Sequence, residues 1–468
     1  MVQLNQNFIN SIKHDIPAHL SIDDFIAYSA LPLRRSIRVN TLKISCSDFQ
    51  QLMQHKGWQF EPIPWCDSGF WITGQQDDEL GNRTEHLQGL FYIQEASSML
   101  PPTALFDGNA NYTTVLDTAS APGSKTTQMA ALMHNQGLLV ANEYSSSRVK
   151  VLHANVARMG VRNTALTHFD GRVFGQYLFE TFDAVLLDAP CSGEGTIRKD
   201  PDALKHWREE DIEEIAQTQQ ALILSAFQAL KPGGLLVYST CTLNRRENQQ
   251  VCHFLQQTYP DAVEFVSLAK LFPQADKATT TEGFLHVWPQ IYDSEGFFVA
   301  AIRKTAAVDR TAPQPGKQKN FPFAPATKKQ QQAVTDYFAG LGISLPNDSD
   351  IMVRDNEYWL FPHAFSPLIG MMRFQRIGLK LADEAKHGLK PRHEAIMALT
   401  DKQTPMLELN QQQAIDYLMG RDVLLEQQPA SKGEVIVSRH NSPLGLGKIL
   451  PGKLKNSLPR ELVKDRVC

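Results

Sequence analysis

No uninterrupted apolar run in the chain reaches the roughly 18–20 residues needed to span a bilayer. The opening stretch Met1-Val2-Gln3-Leu4-Asn5-Gln6 has neither the basic nor the apolar region of a secretory signal. These absences point to a soluble, cytoplasmic protein. Cysteine is scarce. The six residues at 46, 66, 191, 241, 252 and 468 include no C-x-x-C spacing. That argues against a zinc site or a disulfide framework and for free thiols in a reducing compartment, with no metal expected. The chain also lacks a strong overall charge. At −4 it does not announce a polyanion binder. No internal repeat of useful length is present.

What is present is ordinary globular composition, 42% hydrophobic and 21% charged, in 468 residues. That length predicts two to four domains. Charge is unevenly spread. Residues 1–305 hold 24 Lys+Arg against 33 Asp+Glu, and residues 306–468 hold 22 against 17. The C-terminal part is the better polyanion-binding candidate, and ordinary variation between domains is the competing reading. The tail Lys448–Arg466 carries six basic and two acidic residues.

The strongest rhythm lies between residues 112 and 305. Apolar strand-like runs at Thr113–Leu116, Gly137–Ala141, Thr164–Thr167, Phe182–Leu187, Leu235–Ser239 and Gly296–Ile302 alternate with helical patterns. One helix begins near Ser124, one runs through Ala157, and a long one covers Glu209–Leu230. Lys231-Pro232-Gly233-Gly234 reads as a turn. This alternation predicts an α/β fold with a largely parallel, doubly wound sheet. Domains are expected at 1–110, 111–305, 320–385 and 390–468, with Thr311–Lys319 as a linker. In the first, Ser36–Lys43 alternates apolar and polar residues as a half-buried strand does.

Val115 through Thr127 leads from a strand through small residues into a helix. The loop Ala119-Ser120-Ala121-Pro122-Gly123-Ser124-Lys125 lets a ligand approach the backbone and the free N–H groups of a helix start. It lacks the G-x-G-x-x-G of a dinucleotide site. It also lacks the opening glycine and the Gly-Lys step of a P-loop. An adenosyl-methionine loop needs no phosphate cradle and suits it. Acids follow the next strands. Glu143 is placed for ribose hydroxyls, Asp170 for an adenine amino group, and Asp188 lies near the reacting centre. Any one of them taken alone could be a helix cap or surface residue.

Cys191, in Asp188-Ala189-Pro190-Cys191, and Cys241, in Ser239-Thr240-Cys241-Thr242, each close a strand. The carboxyl ends of strands in an open α/β sheet form the ligand crevice. Two thiols beside a donor loop fit covalent catalysis on a base such as cytosine. A thiolate adds at C6, C5 becomes nucleophilic, and a second group removes the C5 proton. Either cysteine alone would read as a small buried hydrophobe. Cys46, Cys66, Cys252 and Cys468 keep that reading. Ile197-Arg198-Lys199-Asp200-Pro201 reads as an RNA-phosphate loop or a solvated basic loop. Arg245 and Arg246, expected to open the helix after Cys241, are placed for base or phosphate contact. Trp207 reads as a buried aromatic in preference to a base-stacking one.

With these residues assembled, the chain resembles the RNA cytosine-C5 methyltransferases of the RsmB/RsmF family over most of residues 30–305. The resemblance is carried by Arg38-Val39-Asn40-Thr41, Tyr92-Ile93-Gln94-Glu95-Ala96-Ser97-Ser98, Ala121-Pro122-Gly123-Ser124-Lys125 and the Pro-Cys and Thr-Cys pair. It implies a Rossmann-like methyltransferase core, an N-terminal RNA-binding-type domain, and a C-terminal region ending in a PUA-like RNA-binding barrel. It implies S-adenosyl-L-methionine as methyl donor. It implies 16S rRNA as partner, with cytosine 1407 in the assembled small subunit as target, and a monomer is expected. Carried onto this sequence, the family pattern makes Cys241 the nucleophile at C6 and Cys191 the residue that assists product release. Asp188 would contact the cytosine N3/N4 edge or the donor's methionine portion, and Lys125 would orient base and donor. Residues Ala119 through Lys125, Glu143, Asp170 and Asp188 would form the donor shell. Ser120 stands where the family often has Ala. The same chemistry on tRNA, and a catalytically silent RNA-binding assembly factor, are the competing functions. Retention of both cysteines, Lys125 and the strand-end acids argues against the second.

Overall fold

The computed structural model describes residues 5–74, 79–108, 111–386, 388–425 and 433–468. Its centre is a nine-stranded sheet. In spatial order the strands are Val263–Val266, Phe297–Lys304, Leu230–Thr240, Phe182–Asp188, Thr114–Asp117, Leu138–Asn142, Thr164–Thr167 and Arg376–Ile377, with Leu285–Val287 also paired to Phe297–Lys304. The five strands from Leu230–Thr240 to Thr164–Thr167 run parallel. Chain order reverses at Thr114–Asp117, so a crevice opens at the carboxyl ends there.

Alternate residues of these strands serve two layers, as the two-residue period of a strand requires. Val115, Leu139 and Leu186 face one core, and Leu116, Val140 and Val185 face the other. The first is covered by helices Leu100–Leu105, Ser124–Leu132 and Ser146–Arg158, the second by Glu209–Ala229 and Gln249–Thr258. Each fully buried Leu, Val or Phe contributes about 1.5–3 kcal/mol. Three acids, Glu209, Glu210 and Asp211, stand in the first turn of the long helix, where the helix dipole favours them.

Two readings of the sequence need correction. The Lys231–Gly234 segment is not a turn between elements but a bulge inside the strand Leu230–Thr240. Phe182 pairs with Leu230 and Ala184 with Leu235, so the segment sits opposite Asp183 alone. Gly233 takes φ +84° there, Lys231 Nζ reaches Asp183 at 2.6 Å, and a bulge accommodates a proline with no N–H to donate. The strand Ser36–Val39 is buried on both faces, not half-buried. Its polar side chains meet protein instead of water, in part in the next domain. Arg38 bonds Gln94 at 2.8 Å and Thr127 at 2.8 Å, and Asn40 bonds the carbonyls of Gly89 and Met159, both at 2.8 Å.

That strand belongs to an N-terminal antiparallel sheet, ordered Trp58–Pro62, Gly69–Gly74, Ser36–Val39 and Phe91–Ile93. Ahead of it, helices Gln6–Ile12 and Ile22–Ser29 place Phe8 and Phe25 against Trp207 and Trp288. Past the linker, helix Lys328–Gly340 lies with a five-stranded sheet whose last strands, Leu379–Ala385 and Gly388–Pro391, pair across the stretch expected as a domain junction. Met352, Trp359 and Phe361 of this sheet join the second core of the central sheet. A further five-stranded sheet runs Met406–Glu408, Gly433–Arg439, Ser442–Leu450, Lys453–Asn456 and Val423–Leu424. Among the described residues, no helix is long and apolar enough to cross a membrane.

Candidate active site

Strands Phe182–Asp188 and Leu230–Thr240 are neighbours, with Asp188 opposite Ser239. Their carboxyl ends therefore bring the two cysteines together. Cys191 Sγ and Cys241 Sγ lie 3.3 Å apart. The pair divides its protons unequally. The hydrogen bond from Cys191 pulls the Cys241 thiol below its ordinary value, and Lys125 helps against burial and Asp188. The same bond and burial push Cys191 well above its ordinary value. Of the two, Cys241 is the more readily ionised and Cys191 the better placed to keep its proton.

Lys125 and Asp188 complete the centre. Lys125 Nζ is 2.6 Å from Asp188 Oδ2, and Ser239 Oγ donates to Asp188 Oδ1 at 2.7 Å. Burial works against the ammonium, but Asp188 outweighs it and raises the Lys125 pKa. The Phe297 ring lies 5.5 Å from Nζ. A charged, partly desolvated ion pair stands near the Cys241 sulfur.

The loop expected to hold the donor follows the strand Thr114–Asp117 and ends at the helix Ser124–Leu132. Gly123 takes φ +107° at the helix N-cap, and a Cβ there would meet Leu152 Cδ1 at 3.1 Å. Ser120 N–H donates to Asn142 O at 2.7 Å, and its hydroxyl to Asp117 O at 3.1 Å. Glu143 is buried and turned toward the loop. It accepts from Ala121 N–H at 3.2 Å and Ser145 N–H at 2.9 Å, one on each oxygen. Asp170 has a local role. It caps the short turn Gly171–Val173 and is held by Arg172, which lowers its pKa.

Three acids escaped the reading of the sequence. Asp117 ends its strand as Glu143 and Asp188 do. It is buried, accepts from Thr126 at 2.7 Å, and leaves Oδ1 without a partner among the described residues. Burial lifts its pKa to about 6. Glu194 and Glu247 hold the two cysteine loops. Glu247 accepts from Ser192 Oγ at 2.5 Å and Asn244 Nδ2 at 2.6 Å. Glu194 accepts from Thr242 Oγ1 at 2.7 Å and from the N–H groups of Leu243 and Asn244. The signal available was an acid three residues past Cys191 and another six past Cys241. Trp207 is buried, as expected, and donates to Glu194 at 2.8 Å.

Two basic segments take part in contacts within the chain. Arg198 is 9% exposed and bonds the carbonyls of Leu31, Pro32 and Ser294, so it fastens the N-terminal segment, while Lys199, Asp200 and Pro201 of the same run are exposed. Arg245 and Arg246 lie in the turn before the helix Gln249–Thr258 and pair with Glu282 and Glu209.

Residues 105–303 match the family described as 16S rRNA methyltransferase RsmB/F. Residues 4–96 match the N-terminal domain of 16S rRNA methyltransferase RsmF, 323–399 its pre-PUA domain and 404–464 its PUA domain. The chain is 67% identical to ribosomal RNA small subunit methyltransferase F of Shewanella sp. (strain ANA-3), over 100% of this chain and 98% of that one. The identity to the protein of that name in Shewanella oneidensis is also 67%, with the same coverage. A solved methyltransferase homolog from Pyrococcus horikoshii is 34% identical with a TM-score of 0.52, covering 64% of this chain and all of that one. NSun6 from Pyrococcus horikoshii, solved with SFG, shares the fold at 22% identity and a TM-score of 0.56, covering 64% of this chain and 98% of that one. With both cysteine loops and the donor loop set on a shared crevice, and every domain matched, the chain belongs to the ribosomal RNA small subunit methyltransferase F family.

Proposed function

We propose that the chain transfers a methyl group from S-adenosyl-L-methionine to C5 of a cytosine in 16S rRNA, through a covalent bond between Cys241 and C6. The observation that carries this reading is the thiol pair 3.3 Å apart with the lowered pKa on Cys241. The donor, when bound, supplies an electrophilic methyl group. The loop Ala119–Ser124, Lys125, Glu143 and Asp188 would hold it. A buried Glu143 and the unpartnered Asp117 Oδ1 suit a polar ligand at the loop. Asp170, at the end of the third strand, would border its adenine side.

Cys241 thiolate adds to C6, and the C5=C6 electron pair moves toward C5. Lys125 and Asp188 steady the charge that develops on the ring and orient its N3/N4 edge. Cys191 keeps its proton and donates a hydrogen bond to the Cys241 sulfur, which stabilises that sulfur both as nucleophile and as leaving group. The target is cytosine 1407 in the assembled small subunit, met in the cytoplasm by a monomer, a reading supported by the likeness to small-subunit methyltransferases along the whole chain. The base is extruded from helical RNA to reach the crevice.

Cys241→Ala is expected to abolish methylation and to leave donor affinity near wild type, because the thiolate acts on the base. Methyl incorporation and calorimetric donor binding, measured side by side, test this. Turnover by the variant overturns it. Mapping 5-methylcytosine in a strain lacking the protein should show the loss of one rRNA site.

A further inference from the structure

The C5 proton must leave after methylation, and neither cysteine offers an acceptor for it. Cys241 is bonded to C6 at that stage, and Cys191 holds its own proton. A carboxyl group lies at the start of the neighbouring strand Phe297–Lys304. Phe298 pairs with Thr240 and Val299 with Ser239. Continued by one residue, that register sets Phe297 beside Cys241. Glu295 stands two residues ahead of that strand, near enough to Cys241 for their charges to act on one another. Backbone bonds fix the approach. Gly296 N–H donates to Gly195 O at 3.0 Å, and Gly195 N–H to Cys241 O at 2.9 Å.

Glu295 is 5% exposed, and its Oε1 has no hydrogen-bond partner among the described residues. A second carboxylate adjoins it. Glu95 Oε1 accepts from Glu295 N–H at 3.3 Å, and Glu95 Oε2 is held by the Ser97 hydroxyl and by Ser98 N–H at 3.1 Å. The charged groups facing Glu295 are Glu95 and Cys241, which disfavour its anion, and Lys199 and Arg198, which favour it. Burial, reinforced by Glu95, pushes the Glu295 carboxyl up to about 8. A base of that strength suits removal of a carbon-bound proton near neutral pH.

Building on the function proposed above, we infer that Glu295 accepts the C5 proton, with Glu95 as the positioning residue that tunes it. A Glu295 carboxylate oxygen forms an O–H bond to that proton. The C5–H electron pair becomes the C5=C6 double bond. The C6–S bond breaks, and its pair returns to Cys241 Sγ as thiolate, under the Cys191 hydrogen bond. The proton then passes to solvent.

The test uses the full chain and small subunits whose cytosines carry tritium at C5. Glu295→Gln should slow tritium release by about 100-fold or more, while a methylated RNA adduct on Cys241 accumulates. Glu95→Gln removes a charge that raises the Glu295 pKa. The rise of tritium release with pH, followed from preformed adduct, should therefore move to lower pH. Release at the wild-type rate from Glu295→Gln overturns the inference. So does loss of the adduct in that variant when donor affinity and melting are normal, or an unmoved pH profile in Glu95→Gln. If Glu295→Gln fails to fold, the Glu95→Gln profile alone decides. Methylation by Cys241→Ala would sink the underlying covalent reading. An inactive Cys241→Ala beside normal release from Glu295→Gln would sink this inference alone.

Discussion

Two sulfurs that look alike in the sequence part company in the fold. Cys241 gains a donor from Cys191 and a cation in Lys125, whereas Cys191 faces the negative charges of Cys241 and Glu247 and burial, with only Gly193 N–H in its favour. Cys191→Ala should therefore leave the first step possible and hinder the last. Denaturing gels of a reaction mixture should show a slow-migrating protein–RNA band, absent from the double variant with Cys241→Ala. Trapping by Cys241→Ala alone would reverse the two roles. Lys125→Met should move the pH at which iodoacetamide labels Cys241 upward, because a cation that favours the thiolate is gone. Labelling that keeps its wild-type midpoint would remove Lys125 from that role. Glu143→Ala should weaken donor binding by about 1.5–3 kcal/mol through lost charge-assisted hydrogen bonds. Calorimetry is the check, and unchanged affinity would return Glu143 to bracing the loop through Ala121 and Ser145.

At the scale of elements, the crevice depends on backbones that touch. A Cβ on Gly195 would stand 2.2 Å from Gly296 O and 2.9 Å from Cys241 O. Both obstacles are backbone, so neither can swing aside. Gly195→Ala should displace the end of the Cys241 strand and cut methylation far more than it lowers the melting temperature, with a stability cost of about 1–3 kcal/mol. Wild-type kinetics in a stable Gly195→Ala protein would show that the close approach is immaterial. The elements themselves were largely legible beforehand. Continuous apolar runs such as Val115-Leu116 and Val185-Leu186-Leu187 announce strands buried on both faces, and Thr164–Thr167 falls where its composition puts it. Ser36–Val39 misled because alternation reports that one face is polar, not whether water or another domain meets it. Lys231–Gly234 misled because a bulge and a turn call for the same residues. The acids that hold the cysteine loops, Glu194 and Glu247, are marked in the sequence only by their nearness to the cysteines, since their role exists only when two strand ends 50 residues apart converge.

At the scale of the whole molecule, the domains are knitted rather than strung. Gln88 Nε2 donates to the carbonyls of Arg439 and Ser442, both at 2.9 Å, and Arg162 pairs with Asp348 at 3.0 Å. A cut near residue 310 would strip Trp359 and Phe361 from the second core and bare a sheet edge. It is a poor way to ask where RNA docks. Neutralising Lys453, Lys455 and Lys464 in the full chain is cleaner. RNA binding should weaken and its salt dependence flatten, with donor affinity unchanged. Lys453 is already paired with Asp422 at 2.8 Å, so its share of the effect should be smaller than that of Lys455. An unaltered salt slope would place RNA recognition elsewhere on the molecule.

The short strand Arg376–Ile377, antiparallel to Thr164–Thr167, sets a timetable for synthesis. A ribosome making the chain releases the residues through Lys304 before it has translated the strand that covers their outer edge. At roughly 5–20 residues per second, that edge stays open for several seconds. In that interval its unpaired N–H and C=O groups can recruit a strand from a neighbouring nascent chain. Slowed translation between residues 305 and 376 would lengthen the exposure, and a chaperone that shields strand edges would be needed most during that stretch.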